Sequence, residues 1–228
     1  VSVAGSMSRF MIYEQILYAI SSISDVAIFN VSDASCPTLS GEVELQWGIE
    51  TLFSYKDKLF VGAETGMYIY DLKNGDRPEY ISAFEHVQSC DPVVVYEDRA
   101  YVTVRGDDQC GGWDNQLDVV DISDIRNPES IADYSLNSPY GLGIDGENDV
   151  LFVCDGHSGV KIFTDLTNQV AAGILHGNDY TISNTGYDVI PMNGHLILIG
   201  DDGLYQYDYT NLNDIQLMSM IATGHCPE

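Results

Sequence analysis

The sequence predicts an all-β protein, a β-propeller of five four-stranded blades, and three observations point there. One ten-residue frame recurs five times: "SDVAIFNVSD" from Ser24, "TGMYIYDLKN" from Thr65, "NQLDVVDISD" from Asn115, "SGVKIFTDLT" from Ser158 and "DGLYQYDYTN" from Asp202. Aligned on Asn30, Asp71, Asp121, Thr164 and Asp208, the frames stand at intervals in the low forties, apart from one longer interval. Each interval holds four short apolar runs divided by turn residues, and no stretch sustains a helical period.

The units fall at about 7–48, 49–90, 91–139, 140–186 and 187–224, and their runs come in the same order. A first run ("RFMIY", "TLFSY", "PVVVY", "GLGID", "DVIPM") ends at a tight polar turn such as Glu14-Gln15, Lys56-Asp57 or Asn193-Gly194. A second run follows ("ILYAI", "LFVGA", "AYVTV", "LFVCD", "LILIG"), and the recurring frame is the third. A loop marked by Pro or Asn leads to the fourth: "PTLSGEVEL", "PEYISAFEH", "PESIADYSL", "NQVAAGILH" and "NDIQLMSMI". One such blade cannot bury both its faces alone, whereas blades stacked radially bury them against one another. A two-sheet sandwich has many short strands too, but no reason to repeat their order so faithfully.

At 228 residues the chain is long enough to bury a core without disulfides or metals. Fifteen Tyr and seven Phe lean towards β-structure. Charge is the outlier: 35 Asp and Glu face nine Lys and Arg, for a net charge of −26. Nucleic-acid backbones and anionic membrane surfaces both call for clustered cations, so neither is an expected partner. No apolar run is long enough to span a membrane. The five cysteines show no C-x-x-C spacing and the histidines are scattered, so a structural zinc site is not expected. No signal peptide is visible, and an opening without Met suits a processed or truncated chain.

"LDVVDISDIRNP" (Leu117 to Pro128) and "VAIFNVSDASCP" (Val26 to Pro37) resemble the LVIVD repeat. The last two units depart from it, since "VKIFTDLT" and "LYQYDYTN" lack the Pro. The resemblance covers almost the whole chain. It implies secreted or lipid-anchored cell-surface propellers, chiefly of Bacteroidota, with no established catalytic activity. It also implies a lipoprotein anchor in a segment outside this chain, and partners that include an outer-membrane complex. Family members usually carry further repeats upstream, so the five units either close a ring or form the C-terminal part of a larger propeller.

In a propeller, the loop leading into the first strand and the loop leaving the second open on one face around the channel. The lead-in positions are Arg9, Glu50, Asp91, Gly141 and Asp188; the second-strand exits are Ser22, Glu64, Arg105, Asp155 and Asp201. Both sets are rich in acids, and loops on a fixed scaffold are where function is usually placed. The long interval owes its length to an insertion, "GDDQCGGWDNQ" from Gly106 to Gln116, which brings Asp107, Asp108, Trp113 and Asp114 to the same face. His86 and His157 lie near it. Trp113 is either a binding anchor or the packing of its own loop. Cys90 precedes the first strand of the third unit and Cys110 lies in the insertion, so a disulfide clipping the insertion to the rim is expected. Cys154 closes an apolar run and reads as an inert core residue.

Two functions compete. The favoured one is a non-enzymatic binding module whose acidic face meets a protein or glycan partner, with Arg9 and Arg105 balancing the charge and no cofactor. The alternative is a metal-dependent hydrolase, or a Ca²⁺ site, drawing ligands from Glu50, Asp91, Asp155, His157 and Asp188. No nucleophile elbow, phosphate loop or EF-hand spacing occurs.

Overall fold

A computed structural model describes residues 6–73, 77–85, 92–107, 111–164, 166, 173–175 and 186–223. The chain is all-β, with five antiparallel sheets of four strands in sequence order, arranged as a five-blade propeller. Blade 1 is β1 (Phe10–Tyr13), β2 (Ile16–Ile20), β3 (Asp25–Asn30) and β4 (Thr38–Glu44). Blade 2 is β5 (Ile49–Tyr55), β6 (Lys58–Ala63), β7 (Gly66–Asp71) and β8 (Glu79–Glu85). Blade 3 holds β9 (Val93–Tyr96), β10 (Arg99–Asp107), β11 (Gly111–Asp121) and β12 (Glu129–Ser135). Blade 4 holds β13 (Leu142–Asp145), β14 (Val150–Cys154), β15 (Val160–Thr164) and β16 (Gly173–Leu175). Blade 5 holds β17 (Gly186–Met192), β18 (His195–Gly200), β19 (Gly203–Asp208) and β20 (Gln216–Ala222). The recurring frame is the third strand, and it ends at Asn30, Asp71, Asp121, Thr164 and Asp208, the aligned residues.

The motif at the end of that strand has a local cause. A side-chain oxygen at the last strand position accepts the N–H two residues on: Asn30 from Ser32 at 2.9 Å, Asp71 from Lys73 at 2.8 Å, Asp121 from Ser123 at 2.8 Å and Asp208 from Thr210 at 2.9 Å. A second such turn follows at Asp33 to Ser35, Asp124 to Arg126 and Asn211 to Asn213. These Asx turns reverse the chain without ladder hydrogen bonds and send it out to the fourth strand. Donation from the Lys73 and Ser123 amides holds the Asp71 and Asp121 carboxyls below the usual carboxylate range. Much of the acidity of the repeat therefore belongs to its turns.

The turn between first and second strands has its own regularity. Glu14, Lys56, Glu97, Asp149 and Asn193 hold φ between 51° and 57°, one in each blade, as twisted hairpins require. Where Lys56 opens that turn, Lys58 and Lys73 meet Asp57 and Asp71 in a small ion-pair cluster.

Blade faces interlock in three buried clusters. One joins blades 1 and 2, a second joins blades 2, 3 and 4, and a third joins blades 4 and 5. Among the described residues, none joins blade 5 to blade 1. The inner strands of blades 4 and 5 approach so closely that a Cβ on Gly141 would strike Asp188, and one on Gly143 would strike Val189 and Pro191. That approach explains the "GLG" of the fourth unit.

The insertion differs from the loop that was expected. It prolongs β10 and β11 into a hairpin, with Arg105 opposite Asn115 and Asp107 opposite Gly111 across a bulge. Cys90, Cys110, Asp91, Asp108 and His86, and the side chains of Asp107 and Trp113, lie outside the described residues. The expected disulfide therefore lies outside them as well. Cys36 is an exposed free thiol, and Cys154 is fully buried with its thiol pushed well up by desolvation.

The Asx turns set a direct expectation. Asp121→Ala removes an acceptor and is expected to cost about 1 kcal/mol, lowering the melting temperature by about 2–4 °C. Asp121→Asn keeps the acceptor, as Asn30 and Asn211 already do, and is expected to melt within about 1 °C of the parent by calorimetry.

Candidate functional site

Antiparallel order puts the start of each first strand, the end of each second and the start of each third at one end of the propeller, here called the mouth. Arg9 and Glu50 are at β1 and β5, and Glu64 turns β6 into β7. Arg105 lies in β10, Asp155 and His157 follow β14, Asp188 lies in β17, and Asp201 turns β18 into β19. The described members of the predicted set thus share the mouth.

They do not share an environment. Asp155 is fully buried: its carboxylate accepts the N–H groups of Asn137 and Ser138, both at 2.8 Å. It pins the connection between blades 3 and 4 and leaves no face to a ligand. Asp188 is largely buried, and desolvation pushes its pKa up to about 6. Its oxygens accept the N–H of Val189 at 3.0 Å and hydrogen bonds from Ser6 and Met7. The Ser6 hydroxyl also accepts the N–H of Leu142 at 2.7 Å, and Ser8 C=O accepts that of Leu52 at 2.9 Å. Segment Ser6–Ser8 therefore crosses the axis, held by blades 2, 4 and 5. Arg9 and His157 are exposed, and Glu50 and Glu64 are half-buried.

A line of side chains that sequence reasoning passed over runs across three blades at the mouth. The Arg105 guanidinium lies 4.2 Å above the Tyr140 ring. Tyr140 meets Tyr187 edge to face at 5.4 Å between centroids. The Tyr187 hydroxyl donates to Asp201, and that bond raises the tyrosine pKa. Tyr187 remains 37% exposed. On blade 2, Trp47 stands 56% exposed beside Gly48, whose φ of 77° and close approach to Glu64 fix the lead-in. Tyr140 and Tyr187 sit one residue before the aligned lead-in positions, and Trp47 sits three before its own. Counting acids at those positions missed them; counting aromatics one to three residues earlier finds them.

Charge balance at the mouth takes a different form from the expected pairing of Arg9 and Arg105 with the acids. The Asp57–Lys58–Asp71–Lys73 cluster sits at the opposite end. At the mouth, Arg105 packs on Tyr140, while Asp155 and Asp188 take up backbone N–H groups. Among the described residues, no group of three or more His, Cys, Asp or Glu side chains has the geometry to hold a metal ion.

No protein-family model matches the chain, and no curated protein matches its sequence. Solved structures do. AztD from Citrobacter koseri superposes with a TM-score of 0.65 at 16% identity, over 92% of this chain and 61% of that one. The Pseudomonas aeruginosa periplasmic gluconolactonase PpgL superposes at 0.67 with 12% identity, over 92% and 68%. A Lactobacillus plantarum protein superposes at 0.65 with 12% identity, over 93% and 69%. The propeller fold is shared. The chain spans less than two thirds of the length of AztD.

The buried carboxyl makes a pH prediction. Asp188 holds its proton in the folded chain up to about pH 6, whereas its ordinary value is 3.8. The folded state binds more protons across that window, so this group's contribution to stability falls as pH rises through it, and the cost is complete above it. Asp188→Asn is expected to remove this slope, gaining at most about 3 kcal/mol at pH 8 relative to pH 4. Melting curves from pH 4 to 8 check it; an unchanged slope in the variant contradicts it.

Proposed function

We propose that the protein is a non-enzymatic binding module of the cell surface or extracellular space, and that its mouth receives a protein or glycan partner. The carrying observation is the Arg105–Tyr140–Tyr187–Asp201 line, assembled from three blades and flanked by exposed Trp47. Amphipathic rings with a polar tip, fixed on a rigid scaffold and beside charge, are what binding surfaces use for either partner class. The LVIVD resemblance supports a secreted or lipid-anchored setting, an outer-membrane complex as the partner's context, and a role without catalysis. The net charge of −26 favours a partner with a basic contact patch.

The hydrolase and Ca²⁺ alternatives draw on ligands that serve elsewhere. Two of their five ligands, Asp155 and Asp188, accept backbone N–H groups that hold the blades in place. Recruiting them for a metal exposes those N–H groups, at a cost of about 1–3 kcal/mol each. The gluconolactonase neighbour lends the enzyme reading its fold alone.

Binding is tested with a glycan array and with immobilised parent protein exposed to native envelope extract. Tyr187→Ala and Trp47→Ala are each expected to weaken capture about tenfold or more, a loss of at least 1.4 kcal/mol. Lys73→Ala, at the opposite end, is expected to leave it unchanged. Capture that survives both aromatic substitutions rejects the mouth as the site.

The metal reading has its own check. Ca²⁺ at 100 times a dissociation constant stabilises by about 2.7 kcal/mol. We expect no such shift between Ca²⁺ and EDTA, and no turnover with lactone and ester substrates in Ca²⁺. A shift of that size, or turnover, restores the alternative.

A further inference from the structure

The two end blades carry sheet faces that differ from every internal face. On the side of blade 1 away from blade 2, Ile12, Leu17, Phe29 and Leu39 stand directly opposite one another across all four strands. Ile12 is 55% exposed and Leu39 64%. The counterparts of Leu17 and Phe29 one repeat on are Leu59 and Tyr70, which are 0% and 4% exposed because blade 1 covers them. On the far side of blade 5, Ile199, Leu204 and Ile221 form a second directly paired row. They are 40%, 37% and 68% exposed, whereas Met67, the counterpart of Leu204, is 0% exposed.

We infer that these two faces are docking surfaces for further blades of the same repeat, carried by the same polypeptide outside these 228 residues. Continuity with the interfaces already formed supports this occupant. Wherever a blade has a neighbour, these positions are covered by the neighbour's β-branched and aromatic rows. An apolar row running the full width of a four-stranded sheet calls for a surface equally wide, which a blade supplies. The solved propellers of this fold point the same way. Five blades fill 61–69% of their chains, leaving about a third of the length for the rest of each. A second copy fits less well: seating its blade 5 on blade 1 presents another open end, a heterologous contact that runs on rather than closing.

The far side of blade 5 also says something about what covers it. Gln206 stands where the other blades have Ile28, Ile69, Val119 and Ile162, and it accepts a hydrogen bond from Ser219 at 3.2 Å. A buried amide needs its remaining hydrogen bonds met, so the blade docking there brings a polar side chain opposite Gln206.

The test is the intact mass of the protein from its natural source, together with Ile12→Lys and Ile221→Lys made in both the 228-residue chain and the natural polypeptide. We expect a natural polypeptide longer than 228 residues. In the shorter chain each substitution is expected to move the melting temperature by less than about 2 °C, as at exposed positions. In the longer one each is expected to lower it by more than about 4 °C. If the lysine variants of the longer chain fail to accumulate, Ile12→Ala and Ile221→Ala give the same comparison with less disruption. A natural mass equal to that of the 228-residue chain overturns the inference. So do equal small shifts in both proteins, or a dimer of the natural polypeptide that the substitutions dissolve.

Discussion

A four-stranded antiparallel blade of this kind is apolar on both faces, and water can be kept from both only by a neighbour on each side. Every larger feature of the molecule depends on that constraint. It sets the repeat length, because each unit must supply four strands and their turns. It also places the buried clusters between blades rather than within them. The tight approach of blades 4 and 5, with glycine at 141 and 143, is the same demand at its sharpest, since two inner strands close to the axis leave no room for a Cβ.

The acidity of the chain has two origins that composition cannot separate. Some carboxylates belong to turns. At Asp71, Asp121 and Asp208 the side chain replaces ladder hydrogen bonds just where a strand ends, and the charge strengthens the bond. Asn30 does the same work without a charge, so the geometry of the oxygen matters more than its ionisation. Other carboxylates belong to the mouth, and these divide again. Asp155 and Asp188 are buried against backbone N–H groups, while Asp201 is held at the surface by Tyr187. An acidic face drawn as a ring of equivalent charges becomes an inner layer that positions blades and an outer layer that meets solvent.

What makes the mouth suited to recognition is the way neighbouring blades contribute to one line. Arg105, Tyr140 and Tyr187 come from blades 3, 4 and 5, and each rests on the next through a ring face or edge. Such a line is rigid because the interfaces below it are packed, so little side-chain freedom remains to be lost on binding. The Ser6–Ser8 segment crossing the axis gives the mouth a floor, tied to blades 2, 4 and 5 by backbone groups and by the Asp188 carboxylate.

The repeat was legible because it is written in local chemistry. A run of β-branched and aromatic residues, a turn with positive φ at Glu14 or Asn193, and an Asx turn at Asp121 each follow from neighbours within a few residues. The third strand, its last residue and the blade order were therefore determined by the sequence itself. So was the sharing of one end by Glu64, Arg105 and Asp201, since antiparallel order alone brings strand ends together. Burial and pairing across blades were decided only by the tertiary structure, because they depend on residues a repeat or more apart. Nothing near Asp155 in the chain separates it from Asp201, yet one is sealed under Asn137 and Ser138 and the other meets Tyr187 in solvent. Nor does the pattern of Ile12 and Leu39 differ from that of residues buried in the next blade. Their exposure arises because a blade face is closed only by the blade beside it.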